Sequence, residues 1–327
     1  MTPAARLARR FCKLLLPSVL LLAGPSGPAA RAHSEAGAPT APGTYIWVGD
    51  HRLHLDCRGS GSPTVIFDSG LGGSSLDWAL VHPLVADFTR ACTYDRAGYA
   101  WSDPGPLPRN AERMVADLEQ LLGNGSVAAP YVLVGHSLGG LIVQHFARKN
   151  PQRIAGLVLV DATHEDQFRR LDEAVAPATA NGWSRLEMRD SYDVPEGLPE
   201  DVRLLARAFV ARAQSIVVVR SELRFLRETS GPAPVTGSLP DVPLVVISHR
   251  LVTPAESTRA GRFEQTWMEM QQELAARIPG SRHVIAATDD HYIHIREPQT
   301  VVHAVQGIVE RHRRDSAGVA GAPLAHR

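Results

Sequence analysis

The sequence predicts an α/β fold built on a mostly parallel, eight-stranded sheet, with helices on both faces and a helical cap inserted after strand six. Three observations carry that reading. Short apolar runs alternate with amphipathic stretches of helical length along most of the chain. The runs Tyr131–Val134 and Gly156–Val160 are apolar throughout, as buried strands are. After the first of them, Gly135-His136-Ser137-Leu138-Gly139 turns sharply into a stretch with helical periodicity.

Taken in order, the Pro/Ala/Gly-rich stretch 33–43 is a linker. Thr44–Val48 and Arg52–Cys57 alternate like a hairpin around Gly49-Asp50. Thr64–Phe67 is a third strand that enters the loop Asp68-Ser69-Gly70-Leu71-Gly72-Gly73. A helix is expected over Trp78–Phe88, a fourth strand over Arg90–Tyr94 and a helix over Ala111–Leu122. The elbow strand and its helix follow, until Asn150-Pro151 stops them. Gly156–Val160 is the sixth strand and ends at Asp161.

From Thr163 to Pro240 the alternation gives way to a charged, arginine-rich segment with helical pieces such as Asp201–Thr229. Pro243–Ser248 resumes the sheet, followed by a helix over Arg262–Arg277, a strand over Arg282–Ala287 and a last helix over Gln299–Arg311. The expected organisation is therefore a core of 44–162 and 241–312, a cap of 163–240 and a disordered tail of 313–327.

Residues 1–32 stand apart. Arg6, Arg9, Arg10 and Lys13 precede the apolar run Leu14–Ala23, and Ala30-Arg31-Ala32 offers a small-residue cleavage site. That order is the order of a secretory signal peptide, so export is expected; an uncleaved membrane anchor is the alternative. With 327 residues, 44% of them hydrophobic, the chain can bury a large core, and its formal net charge of +0 gives no reason to expect nucleic acid or an anionic membrane as partner. Three cysteines make no disulfide scaffold and show no zinc spacing.

The chemistry centres on Ser137. The pentapeptide G-x-S-x-G arises by chance in roughly one chain in ten of this length, but an apolar strand before it and a helix after it are what a nucleophile elbow requires. Gly135 and Gly139 leave room for so sharp a turn. A serine hydroxyl needs an oriented base to take its proton. His291, on the loop after the last strand, is the candidate base, with His294 its nearest rival. An acid must orient that base. His249-Arg250-Leu251-Val252-Thr253, after strand seven, holds no carboxylate; Asp161 is the first candidate and Glu256 the alternative.

The oxyanion of an acyl-transfer intermediate needs N–H donors. The candidates are the N–H groups of Leu138 and Leu71, with Gly70, Gly72 and Gly73 keeping the second loop slim. Asp68, Asp95 and Arg96 are read as structural. His51-x-x-His54 lies on a strand, where that spacing sends the rings to opposite faces, and no carboxylate completes His291-x-x-His294, so neither a metal nor another cofactor is expected. Asn124-Gly125-Ser126 matches a glycosylation acceptor but reads better as a glycine turn.

At this point the chain resembles the α/β-hydrolase-fold serine hydrolases, of esterase and lipase type, over essentially its whole mature length. The resemblance rests on an ordered set: the glycine-rich loop after strand three, Asp95-Arg96-Ala97-Gly98 with Ser102 after strand four, the Ser137 elbow after strand five, and His291 with Glu297-Pro298 after the last strand. Ser69-Gly70 replaces the common His-Gly, and Ala100 stands where glycine is usual. Branches of the family, pancreatic-type lipases among them, carry the acid after strand six, which supports Asp161.

The family's strand order also sets strand two beside strand four, which makes a Cys57–Cys92 disulfide an open possibility beside two free thiols. The resemblance implies hydrolysis of esters or similar acyl compounds. Acyl transfer or perhydrolysis by the same residues is the alternative, and a non-catalytic binding protein the third reading. A serine at the elbow argues against the dehalogenase and epoxide-hydrolase branches, which use aspartate there. The partner is a small acyl substrate, whose identity, like the oligomeric state, the sequence leaves open.

Overall fold

Apolar runs too short for helices but rich in Val, Ile and Leu form the strands β1 (Thr44–Val48), β2 (His51–Arg58), β3 (Thr64–Asp68), β4 (Ala91–Tyr94), β5 (Tyr131–His136), β6 (Ile154–Val160), β7 (Leu244–Ser248) and β8 (Arg282–Ile285). They make one eight-stranded sheet in the order β1-β2-β4-β3-β5-β6-β7-β8. β2 pairs antiparallel with β1 and β4, and every other pairing is parallel. The computed structural model describes residues 40–175, 194–229, 237–252 and 258–320. The expected signal segment 1–32 lies outside them.

The helices are α1 (His82–Ala86), α2 (Ala111–Asn124), α3 (Leu138–Lys149), α4 (Gln167–Val175), α5 (Glu200–Val210), α6 (Ala213–Thr229), α7 (Arg259–Ala276), α8 (Ile293–Arg296) and α9 (Pro298–Ala320). α2 shows why such segments become helices. Asn110 caps its first turn by accepting the Arg113 N–H at 3.0 Å. Met114, Val115, Leu118, Leu121 and Leu122 then recur on the face that it buries.

Because side chains alternate along a strand, the central strands feed two cores. Tyr131 and Leu133 of β5 pack with Leu118, Leu121, Ile142 and Phe146 on one side. Val132 and Val134 pack with Phe67, Trp78, Val301 and Val305 on the other. Full burial of side chains of this size stabilises the fold by about 1.5–3 kcal/mol each. Both faces of β5 are thus anchored, and the residue that follows it is held by the whole sheet.

Two expectations need correction. The single helix expected over Trp78–Phe88 is a 3-10 turn, Ser75–Trp78, followed by the short α1. Pro83 lacks an N–H, so it fits the first turn of a helix and not the interior of a longer one. The tail expected to be disordered from residue 313 is helical to Ala320. Arg313 explains the extension: its guanidinium donates to the carbonyls of Ser62 (2.9 Å) and Phe88 (2.8 Å), tying that turn to the core.

The segment between β6 and β7 contributes α4, α5 and α6. Val218, Val219, Leu223, Phe225 and Leu226 of α6 join the same core as α2 and α3. Cys57 and Cys92 face each other across β2 and β4 and form a disulfide, with their Cα atoms 4.0 Å apart. Gly125 caps the end of α2, and Asn124 donates its amide to the Trp47 carbonyl at 2.8 Å. Among the described residues no helix is long and apolar enough to cross a membrane.

Candidate active site

β5 ends at His136 and α3 begins at Leu138, so Ser137 alone makes the turn. Its φ of 49° and ψ of −120° are conformations that a residue with a side chain adopts at a cost of about 1–3 kcal/mol. Backbone hydrogen bonds impose them. Ser137 N–H donates to the Val160 carbonyl (3.1 Å), and the Ser137 carbonyl accepts from Gly140 and Thr163 (2.9 Å each). The packing is equally tight. A Cβ on Gly139 would lie 2.3 Å from the Asp68 carbonyl oxygen, and one on Gly70 would lie 2.9 Å from His136 Nδ1 and 3.3 Å from Ser137 Cβ. The loop after β3 therefore rests directly on the elbow.

Asp161 follows β6, the neighbour of β5, and is fully buried with a left-handed φ of 44°. Four donors converge on its carboxylate. Oδ2 accepts from His291 Nδ1 (2.6 Å) and His249 Nδ1 (2.7 Å), and Oδ1 accepts from Trp267 Nε1 (2.9 Å) and the His249 N–H (3.3 Å). Burial works to raise its pKa, but the hydrogen bonds from His249 and His291 outweigh it and hold the carboxyl well below the usual carboxylate range. The alternative acid, Glu256, lies outside the described residues.

His291 occupies the loop between β8 and α8, its side chain about one-third exposed (37%) against a buried Asp161. His136 Nε2 donates to its carbonyl (3.1 Å), and the two rings sit 4.6 Å apart. Asp290 accepts the Tyr292 N–H and pairs with Arg296 (2.7 Å), while Glu297 accepts the Thr288 N–H. The loop is thus fixed on both sides of the histidine. His294, the rival base, is buried between Trp78 (4.5 Å) and His136 (4.4 Å). Burial, and then the proximity of His291, push its pKa down to about 3, so it stays neutral.

The Leu138 N–H is the first of α3 and has no acceptor within its own helix. Leu71 stands in the loop whose carbonyls Arg96 grips. That guanidinium donates to Ser69 O (2.6 Å), Gly70 O (2.7 Å), Asp68 Oδ1 (2.8 Å) and Glu222 Oε1 (3.1 Å). Tyr94 donates to Asp68 and Tyr99 to Glu222, each at 2.7 Å. Asp95 holds His54 Nδ1 (2.8 Å) and the Ser75 N–H (2.7 Å). His51 pairs instead with Asp50 (3.0 Å). Among the described residues no group of three or more His, Cys, Asp or Glu could hold a metal ion.

The structure thus brings His291 and Asp161 into contact beside the Ser137 elbow. The sequence alone does not single out His249, Glu264, Trp267 or Glu222. His249 is visible as the residue after β7, but a carboxylate is what that position ordinarily supplies. Glu264 and Trp267, three apart on α7, share a helix face, a spacing that carries no chemistry until the fold brings Asp161 to it. In the segment between β6 and β7, Phe209 lies against Trp101 (4.9 Å), and Val219, Phe225 and Leu226 are core residues.

The alpha/beta hydrolase family model matches residues 65–304. The uncharacterized protein YqjL of Bacillus subtilis (strain 168) is 27% identical over 254 residues, 77% of this chain and 85% of its own. A thermophilic esterase from Thermogutta terrifontis superposes with a TM-score of 0.59 at 21% identity, covering 83% of this chain and 99% of that one. The enol-lactonase from Burkholderia xenovorans LB400 gives 0.57 at 21% identity, covering 82% and 100%. At these identities the two structural likenesses are of fold, whereas the family model spans most of the chain: the protein belongs to the alpha/beta hydrolase family and has its hydrolase fold.

Proposed function

We propose that this protein is an exported serine hydrolase that cleaves carboxylic esters or related acyl compounds. The observation that carries the reading is the 2.6 Å hydrogen bond from His291 Nδ1–H to the buried Asp161 carboxylate, beside a serine strained at a strand–helix elbow. That bond fixes the ring with its other nitrogen, Nε2, free to act as base. Ser137 Oγ attacks the acyl carbon and its proton passes to His291 Nε2. Asp161 stabilises the imidazolium, and the N–H groups of Leu71 and Leu138 receive the oxyanion. His291 then returns the proton to the leaving alkoxide, and water repeats the cycle to release the acid.

An esterase and an enol-lactonase share the fold, as do dehalogenases and epoxide hydrolases, so the choice of an ester-type bond rests on the serine at the elbow. Export is supported by the charged, apolar, small-residue order of residues 1–32 and by the Cys57–Cys92 disulfide, which suits an oxidising compartment. The helices between β6 and β7 act as the cap. Val194, Leu198 and Ala206 pack on Leu76, Leu80 and Tyr292, beside the histidine loop.

The test is steady-state hydrolysis of p-nitrophenyl esters of graded chain length by the wild type, Ser137→Ala and Asp161→Asn. The expected result is turnover by the wild type, abolished in Ser137→Ala and reduced by about 10⁴ in Asp161→Asn. Wild-type-like turnover in Asp161→Asn would overturn the assignment of the acid.

A further inference from the structure

Asp161 does not serve His291 alone. His249 Nδ1 lies 2.7 Å from Asp161 Oδ2, and its other nitrogen, Nε2, lies 3.0 Å from Glu264 Oε2. Ionised carboxylates accept hydrogen bonds and cannot donate them, so a ring placed between two of them carries a proton on both nitrogens. Asp161 is ionised: the Trp267 indole and the His249 backbone N–H donate to it, and although burial works to raise its pKa, the hydrogen bonds from His249 and His291 hold it well below the usual carboxylate range. Glu264 is one-quarter exposed on α7.

We infer that His249 is a positioning residue for this site: a cationic imidazole, held by Glu264, that clamps the Asp161 carboxylate on which the His291 ring is oriented. The inference rests on the Ser137–His291–Asp161 reading above. His249 and His291 donate to the same oxygen, Asp161 Oδ2, at 2.7 and 2.6 Å. A charged His249 donates a charge-assisted hydrogen bond to that oxygen, so the carboxylate is held in place beside His291 and not by His291 alone. Burial opposes the charge on His249, but the hydrogen bonds to Asp161 and Glu264 prevail and raise its pKa to about 10.

The other described groups around His249 do not change that sign. Trp267, from α7, stacks on the ring at 6.4 Å and donates to the same carboxylate. His283 of β8 is engaged by Ser248 Oγ at 2.5 Å, and its pKa is lowered by burial. Arg250 sends its Nε to the Ala287 carbonyl (3.0 Å).

The test is a pH titration of the ¹⁵N-labelled histidine rings by NMR in the wild type, His249→Asn and Glu264→Gln. It runs in parallel with measurement of kcat and KM for p-nitrophenyl acetate. Asn at 249 can still offer an N–H to Asp161 but carries no charge and loses Glu264. The expected results are a His249 ring doubly protonated beyond pH 8 in the wild type and a lower titration point for that ring in Glu264→Gln. In His249→Asn, kcat should fall about tenfold with KM little changed, a loss in the orientation of Asp161 and not in substrate binding.

A wild-type His249 ring that loses its proton near pH 6.5 would overturn the inference, as would an unchanged kcat in a folded His249→Asn. Should His249→Asn fail to fold, Glu264→Gln still tests the charge on His249, because Glu264 stands at the surface; an unmoved His249 titration there would also overturn the inference. A wild type that hydrolyses no ester would sink the proposed function alone, because the NMR titrations still decide the charge on His249 between Asp161 and Glu264.

Discussion

Two buried carboxylates sit on either side of β5 and are held in contrasting ways. Asp68 ends β3 and is gripped by the guanidinium of Arg96, with Tyr94 and Glu222 completing the cluster. Asp161 follows β6 and is gripped by two imidazoles and an indole. A guanidinium stays charged at every pH that the fold survives, so the Asp68 cluster is a fixed strut that sets the carbonyls of the Ser69–Gly70 loop. An imidazole gains and loses a proton near neutrality, so the Asp161 cluster can take part in proton transfer. The contrast teaches that burial alone does not mark a reacting carboxylate. The ionisability of its partner does.

The largest effect should separate the two clusters outright. Asp161→Asn should cost about 10⁴ in kcat while leaving the protein folded, because an amide keeps the shape but cannot orient and stabilise the His291 imidazolium. Glu222→Gln should do the reverse. Removing one partner of a buried ion pair costs about 3–5 kcal/mol of stability, measured by denaturant unfolding, with the loss in kcat below about tenfold. A Glu222→Gln enzyme that is catalytically dead but fully stable would erase the distinction.

The disulfide gives an intermediate effect. Cys57 and Cys92 close a loop with a sequence separation of 35, and loop-closure entropy then predicts about 4 kcal/mol lost in Cys57→Ala/Cys92→Ala. A smaller, pH-dependent effect sharpens the comparison from the Asp161 side. The His249 ring has a pKa raised from 6.5 to about 10 in the fold, so its stabilisation is complete below about pH 6.5 and is lost as pH rises through 10. The melting temperature of the wild type should therefore fall more steeply between pH 7 and 10 than that of His249→Asn. Parallel curves would remove His249 from the account.

How much of this is legible in the sequence follows from how local each signal is. The strands of the central sheet and the Ser137 turn are written in contiguous residues, through apolar runs and paired glycines, and they are readable. His291 and Asp161 stand out as candidates because each follows a strand at a position where the family resemblance sets a base and an acid. The clamp around Asp161 is not. His249, Glu264 and Trp267 lie about 90 to 110 residues beyond the aspartate, and only the β6–β7 pairing and the packing of α7 bring them to it. Glu222 is hidden in the same way: it reads as one more charge on an arginine-rich helix until Arg96, 126 residues earlier, meets it. The split of the helix expected over Trp78–Phe88 is in principle visible at Pro83, whereas the extension of α9 depends on Arg313 reaching Ser62 and Phe88.

The most direct test of the central claim is covalent. The wild type should be incubated with a fluorophosphonate and the adduct mapped by peptide mass spectrometry, beside His291→Ala. An activated Ser137 predicts stoichiometric labelling at that residue in the wild type and labelling slowed by several orders of magnitude in His291→Ala. A folded wild type that stays unlabelled at Ser137, or a His291→Ala variant that labels as fast as the wild type, would contradict it.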